Sequence, residues 1–287
     1  MMGGSETDIP PQQQEWPGRT DAMEPRPDHG ESSYVGRDRL TGKRALVTGG
    51  DSGIGRATAI AFAKEGADVA ISFLPEEQGD AEETRRAVEA AGRRCLVLPT
   101  DQRTEEANRD LAGAALEGLG GIDVLVSNAA FQMGRQTGIE NFTDSQLRQV
   151  FETNVFATFW LVKAVAPHLG AGASIAITTS IQAYDPSQPL LDYAATKAAL
   201  NNLMVNLAAE LGPRGIRVNA VAPGPIWTPL IPSTFDAEKV ASFGADTPLG
   251  RAGQPVEVAS AFVFLASDDA SYVSGTVVGV TGGRAVF

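Results

Sequence analysis

From Leu40 onward the chain alternates between short apolar runs and longer stretches of helical character, and few folds accept that alternation. Seven runs read as buried strands. They are Arg44-Ala45-Leu46-Val47, Asp68-Val69-Ala70-Ile71-Ser72-Phe73, Cys95-Leu96-Val97-Leu98, Val124-Leu125-Val126-Ser127, Ser174-Ile175-Ala176-Ile177, Val218-Asn219-Ala220-Val221 and Val277-Val278-Gly279-Val280. The intervening segments, among them 57–64, 81–91 and 200–211, have helical character and stop at Gly66, Gly92 and Gly212-Pro213, as helix ends do. Apolar strands joined through helices bury both faces of a sheet, and parallel sheets meet that condition. The expected fold is therefore α/β, a doubly wound, seven-stranded parallel sheet with helices on both faces, formed by residues 40–287 as one domain.

Residues 1–39 have a different composition. Five prolines (Pro10, Pro11, Pro17, Pro25 and Pro27), the run Gln12-Gln13-Gln14 and scattered charges leave almost no aliphatic side chains to bury. Such a segment does not fold alone. It is expected to be an extended or partly disordered arm, with Trp16 and Tyr34 as anchors over its own or a neighbouring subunit.

Bulk properties exclude several functions. A net charge of −12 carries no basic footprint for nucleic acid. No apolar run approaches the roughly 20 residues needed to span a bilayer, and the start of the chain has neither the basic nor the apolar segment of a secretory signal. The single cysteine, Cys95, fits a reducing cytosol, so a cytoplasmic location is expected. His29 and His168 lie far apart and Cys95 stands alone, which gives no ligand spacing for a metal.

Two motifs carry chemistry. Directly after the first strand comes Thr48-Gly49-Gly50-Asp51-Ser52-Gly53-Ile54-Gly55-Arg56, ahead of a helix. Glycines at 49, 53 and 55 permit a tight turn and let a pyrophosphate approach the free N–H groups of a helix N-terminus. Further on, Tyr193-Ala194-Ala195-Thr196-Lys197 sets a phenol and an ammonium one helical turn apart on one face. A phenol with pKa about 10 becomes a usable acid–base group when a neighbouring cation stabilises its anion.

Thr-Gly-x-x-x-Gly-x-Gly at the first turn, with Tyr-x-x-x-Lys about 140 residues later, resembles the short-chain dehydrogenase/reductase family. The arm, the Gly-Asp-Ser-Gly-Ile-Gly turn and Ser-Ile-Gln-Ala-Tyr look like a bacterial subgroup with stress-induced and aldehyde-reducing members. The resemblance implies a Rossmann-type domain and a catalytic set of Asn154, Ser180, Tyr193 and Lys197. It implies a dinucleotide held by Gly49, Asp51, Ser52, Gly53, Ile54, Gly55, Phe73, Asp101, Gln102, Asn128, Ala129 and Ala130. Tyr193, Lys197, Pro223, Gly224, Ile226 and Thr228 would complete that site, with Asp101 at the adenine and Ile226 and Thr228 at the nicotinamide carboxamide. The substrate, a small alcohol, aldehyde or ketone, would meet Ser180, Gln182, Tyr193 and Trp227, alongside Phe131, Tyr184 and the loop 227–243. Homotetramers are common in the family and are expected here.

The cofactor is NAD or NADP, and local charge favours NAD. The second strand ends in Ser72-Phe73-Leu74-Pro75-Glu76-Glu77, with no base to pair a 2′-phosphate, and Ser52 is neutral. Arg56 is the one local cation and reads as a solvated first-turn residue. In the reaction so implied, Ser180 holds the carbonyl oxygen and Tyr193 gives or takes its proton. Lys197 lowers the tyrosine pKa and binds the nicotinamide ribose, and Asn154 holds a water linking Lys197 to solvent. The alternative is a non-catalytic dinucleotide sensor or scaffold on the same fold.

Overall fold

The seven apolar runs lie side by side in one sheet. In the computed structural model, which describes residues 9–134 and 138–287, they are β1 (Arg44–Thr48), β2 (Asp68–Phe73), β3 (Cys95–Pro99), β4 (Val124–Ser127), β5 (Ser174–Thr178), β6 (Arg217–Pro223) and β7 (Val277–Val280). Every neighbouring pair is parallel, in the order β3-β2-β1-β4-β5-β6-β7. The order reverses between β1 and β4, which opens a crevice at the carboxyl ends of the strands.

Successive residues of a strand face opposite sides of the sheet, and the core divides accordingly. Ala45 and Val47 of β1 join a layer containing Phe62 of α1 (Gly53–Lys64), Val88 of α2 (Gln78–Ala90) and two further phenyl-sized or branched side chains, Phe262 and Val263. Leu46, between them, joins Leu111 of α3 (Glu105–Leu119) and Leu161 on the other face. Each fully buried leucine or phenylalanine contributes about 1.5–3 kcal/mol through the area it removes from water. The chain between β4 and β5 forms α4 (Asp144–Phe151), a π-helical turn (Glu152–Phe156) and α5 (Ala157–Val165). Between β5 and β6 stands the 21-residue α6 (Leu191–Leu211), whose Leu200, Leu203 and Leu211 are buried against the sheet. Two short helices follow β6, α7 (Leu230–Thr234) and α8 (Ala237–Ala241), and α9 (Pro255–Ala266) packs beside α1.

Of the proline-rich arm, residues 1–8 lie outside the described part; from Ile9 the arm lies over its own core. Having few aliphatic residues, it is held mainly through polar and backbone groups. Gln14 N donates to Pro232 O at 2.8 Å, and Thr20 N to Asp80 Oδ2 at 3.0 Å. Val256 N donates to Asp28 O at 3.1 Å, and Lys64 Nζ to the carbonyls of Gly30, Glu31 and Tyr34.

The arm ends on Glu65, just past α1. Its buried carboxylate accepts hydrogen bonds from the Tyr34 hydroxyl, the Arg39 guanidinium and the backbone N–H groups of Arg37 and Arg39. Burial alone would raise its pKa, but these donors outweigh burial and hold it at about 2. The stabilisation is thus complete above the ordinary carboxylate pKa and is lost as pH falls from about 4.5 towards 2. Glu65→Gln should lose about 3 kcal/mol at pH 7. Urea unfolding should show the gap to the parent narrowing across that acid window, and a constant gap would count against this account.

Candidate active site

A cleft of about 810 Å³ occupies the crevice where the strand order reverses. Its floor begins at the turn from β1 to α1. Gly49 and Gly53 have φ of +61° and +50°, which side chains other than glycine rarely adopt. Gly55 packs so tightly that an added Cβ would stand 1.8 Å from Gly49 O, so it shapes the turn from below. Ser52, the residue before α1, makes no side-chain cap, leaving first-turn N–H groups free for an anion. Gly49, Asp51, Ser52, Gly53 and Ile54 all line the cleft.

The neighbouring strand ends continue the wall. Phe73 lies at the end of β2, and Asp101 and Gln102 follow β3. Asp101 is paired with Arg103, whose hydrogen bonds hold its carboxyl below the usual range. Asn128, Ala129 and Ala130 follow β4. The Asn128 amide donates to Thr48 O at 3.0 Å, and Thr48 Oγ1 accepts from the backbone N–H of both Asn128 and Ala129. Pro223, Gly224, Ile226 and Thr228 close the far side. A Cβ on Gly224 would stand 2.8 Å from the backbone of Thr281, so only glycine fits there. This floor of bare backbone, tight turn and open helix N-terminus fits a dinucleotide.

The predicted catalytic residues converge from three elements. Ser180 follows β5, its Oγ accepting from Gln182 N at 3.1 Å and pairing with the Tyr193 hydroxyl. Tyr193 and Lys197 lie on the first turns of α6, both buried, with Nζ 5.3 Å from the ring centroid. Lys197 Nζ donates to Thr178 O at 2.8 Å. Asn154 stands on the π-helical turn with its side chain fully committed. Oδ1 accepts from Phe131 N at 2.7 Å, and Nδ2 donates to Phe131 O and to Thr196 Oγ1. A water held by Asn154 would therefore have to use its backbone carbonyl, which already accepts from Thr158 Oγ1 at 3.0 Å.

Electrostatics correct one expectation. Burial pushes Tyr193 up to about 12, the Ser180 hydrogen bond opposing it, and pushes Lys197 down to about 7. Burial therefore keeps the tyrosine a neutral phenol.

Four other expectations change. Trp227 is fully buried beneath the arm, its Nε1 donating to Pro25 O at 2.7 Å, and it faces no substrate space. Tyr184 lies off the cleft and pairs with Asn201. Gln182 lines the cleft, but its Oε1 is engaged by the N–H and hydroxyl of Ser187. Arg56 is 1% exposed rather than solvated, because it donates to the carbonyls of Asp51 and Asp80 and to Glu83.

Other features of the cleft escaped the sequence. Trp16, Pro17 and Gly18 reach it from the arm, and Glu76 and Glu77, expected near the ribose, stand beside Asp51. Asp51 Oδ2 is buried with no hydrogen-bond partner among the described residues. Burial, then the Asp51 charge, raises Glu77 to about 8; burial likewise raises Asp51. The Glu76-Glu77 pair was readable from the chain, but its approach to Asp51 needed the packing of two separate turns.

Comparison with known proteins agrees with this geometry. A family model described as enoyl-(acyl carrier protein) reductase matches residues 49–285. The chain is 53% identical over 283 residues to the uncharacterized oxidoreductase YhxD of Bacillus subtilis, covering 96% of this chain and 93% of that one. It is 45% identical over 284 residues to the glucose and ribitol dehydrogenase of Daucus carota, covering 97% of each. A short-chain dehydrogenase from Burkholderia cenocepacia, solved with NADP, superposes with a TM-score of 0.80 at 34% identity, over 85% of this chain and 98% of that one. A dinucleotide cradle on a doubly wound sheet, matched nearly end to end by such relatives, places the chain in the short-chain dehydrogenase/reductase family, as an NAD(P)-dependent oxidoreductase.

Proposed function

We propose that this enzyme interconverts a small alcohol with its aldehyde or ketone, with Tyr193 as the general acid and base and NAD as the preferred dinucleotide. The observation that carries the reading is the buried Tyr193 hydroxyl, bonded to Ser180 at the inner end of a cleft built for a dinucleotide. The dinucleotide, when bound, supplies or accepts hydride at its nicotinamide ring. Ser180 and Tyr193 hold the substrate oxygen between two hydroxyls, and Tyr193 gives its proton as negative charge grows there. Lys197, anchored on Thr178 O with its Nζ 5.3 Å from the tyrosine ring, is the neighbouring proton source that can restore the phenol. A phenol held neutral suits reduction near neutrality; removing its proton in the opposite direction needs added positive charge nearby. A non-catalytic sensor would have no use for this arrangement. The carrot relative's name puts polyols beside simple alcohols and aldehydes among the candidates.

Asp51, Glu76, Glu77 and Asp101 line the adenosine end; of the two arginines there, Arg56 is consumed by Asp51, Asp80 and Glu83, and Arg103 is paired with Asp101. A 2′-phosphate would meet acid there, which supports NAD. Exposed Phe156, Phe159 on α5, and Leu191 and Val205 on α6 offer an apolar surface for a homotetramer, and a cytoplasmic location agrees with the reading. Light scattering should give four chains per particle.

Two outcomes test the chemistry. Tyr193→Phe should lower kcat for the best alcohol or carbonyl of a panel by about 10³, with dinucleotide affinity by fluorescence changed less than about twofold; parent-like turnover would remove Tyr193 from the mechanism. Glu77 ionises near pH 8, so rejection of NADPH relative to NADH should grow between pH 6.5 and 9, as the carboxyl gains charge. Glu77→Gln should flatten that ratio, and a ratio independent of pH in the parent would refute the charge argument.

A further inference from the structure

The amino-terminal arm touches the cleft with more than its backbone. Trp16 sets its indole edge-on against Phe131, with ring centroids 5.3 Å apart and planes at 86°, and both residues line the cleft. Phe131 is itself fixed from behind, since both its backbone N–H and its carbonyl are bonded to Asn154. On its other side the arm meets α7, the short helix after β6. Gln14 N donates to Pro232 O at 2.8 Å, and a Cβ on Gly18 would fall 2.4 Å from Pro229 O. Met23 and Ile9 of the arm pack with Trp227, Ile231, Phe235 and Val240. Trp16 is thus set against the segment after β4 by a stretch of arm whose neighbours on either side, Gln14 and Gly18, rest on Pro232 and Pro229. At 38% exposure, its ring is neither a core residue nor a free one.

We infer that Trp16 is a specificity-determining residue, and that the arm forms the outer wall of the substrate pocket in its own subunit. This rests on the hydride-transfer reading for what the pocket holds. The Trp16–Phe131 corner is apolar, rigid and edge-on, and it meets the part of the substrate remote from the reacting oxygen. It favours compounds with a short hydrocarbon or CH-rich substituent and limits how long that substituent can be. Truncating the indole removes the contact for short substrates and opens room for long ones. An apolar contact of this size is worth about 10-fold or more in kcat/KM.

The test uses the full chain with Trp16→Ala and Trp16→Phe, a series of straight-chain aldehydes of two to eight carbons, and NADH binding by fluorescence. Trp16→Ala should lose about 10-fold in kcat/KM on the shortest substrates, through KM, and move the optimum to longer ones. Trp16→Phe should restore most of the parent profile, with NADH affinity unchanged throughout. A uniform loss along the series, or an equal loss of NADH affinity, would overturn the assignment and leave the arm a structural or cofactor-side element. Should the parent turn over no alcohol, polyol, aldehyde or ketone, the hydride-transfer reading fails. The wall is then tested by calorimetry of the matching carboxylates and alcohols with the NADH complex. There too Trp16→Ala must shift the preferred length, and an unshifted or absent series would overturn the proposal.

Discussion

One polar ladder crosses the carboxyl edge of the sheet, and the site hangs from it. Asn128, after β4, donates to the carbonyls of Thr48 and Gly49 on the turn after β1, while Thr48 Oγ1 accepts from the backbone beyond β4. Thr178 Oγ1, at the end of β5, donates to Asn128 Oδ1 at 3.0 Å, and the Thr178 carbonyl receives Lys197 Nζ from α6. Four elements far apart in the chain are thereby tied in one row. A half-buried asparagine that fills its valences in this way penalises any slip between the strands, since a slip would leave polar groups unpaired. The glycine-rich turn and the lysine therefore sit at a defined spacing that neither could set alone.

Burial at the same edge decides the charge states. Lys197 has no acidic partner among the described residues, and desolvation pulls it towards neutrality just as it holds the tyrosine above it as a neutral phenol. At the adenosine end burial acts in the same sense, and the crowding of carboxyls adds to it, so Asp51 and Glu77 also resist ionising. Each end is thus sensitive to added charge: positive charge helps the tyrosine ionise at one, and further negative charge raises the carboxyls at the other. Neither response is visible in net charge, which describes the surface.

The strands were legible because an apolar run of four to seven residues, closed by a glycine turn, has few other uses. β2, β4 and β7 have the expected bounds, and the other four strands extend one or two residues further at an end, as at Arg217–Pro223. The glycine turn and the Tyr-x-x-x-Lys pair were legible because they are local. Trp227 misled because an indole near a lid can face either way, and only the Pro25 carbonyl beneath the arm decides which. Arg56 misled similarly: its partners Asp80 and Glu83 belong to a later helix. The π-helical turn at Asn154 had no signature, since an inserted residue changes hydrogen-bond register rather than composition.

The sequence by itself determined the doubly wound sheet, the phosphate-type turn and the residues able to move a proton. Each follows from periodicity or from spacing within a few residues. Tertiary structure alone decided where the arm runs, which aromatic residues face the cleft, and how far burial shifts the tyrosine and the lysine. Those properties depend on groups tens to hundreds of residues apart meeting in a low-dielectric interior, where desolvation outweighs the nearest-neighbour charge.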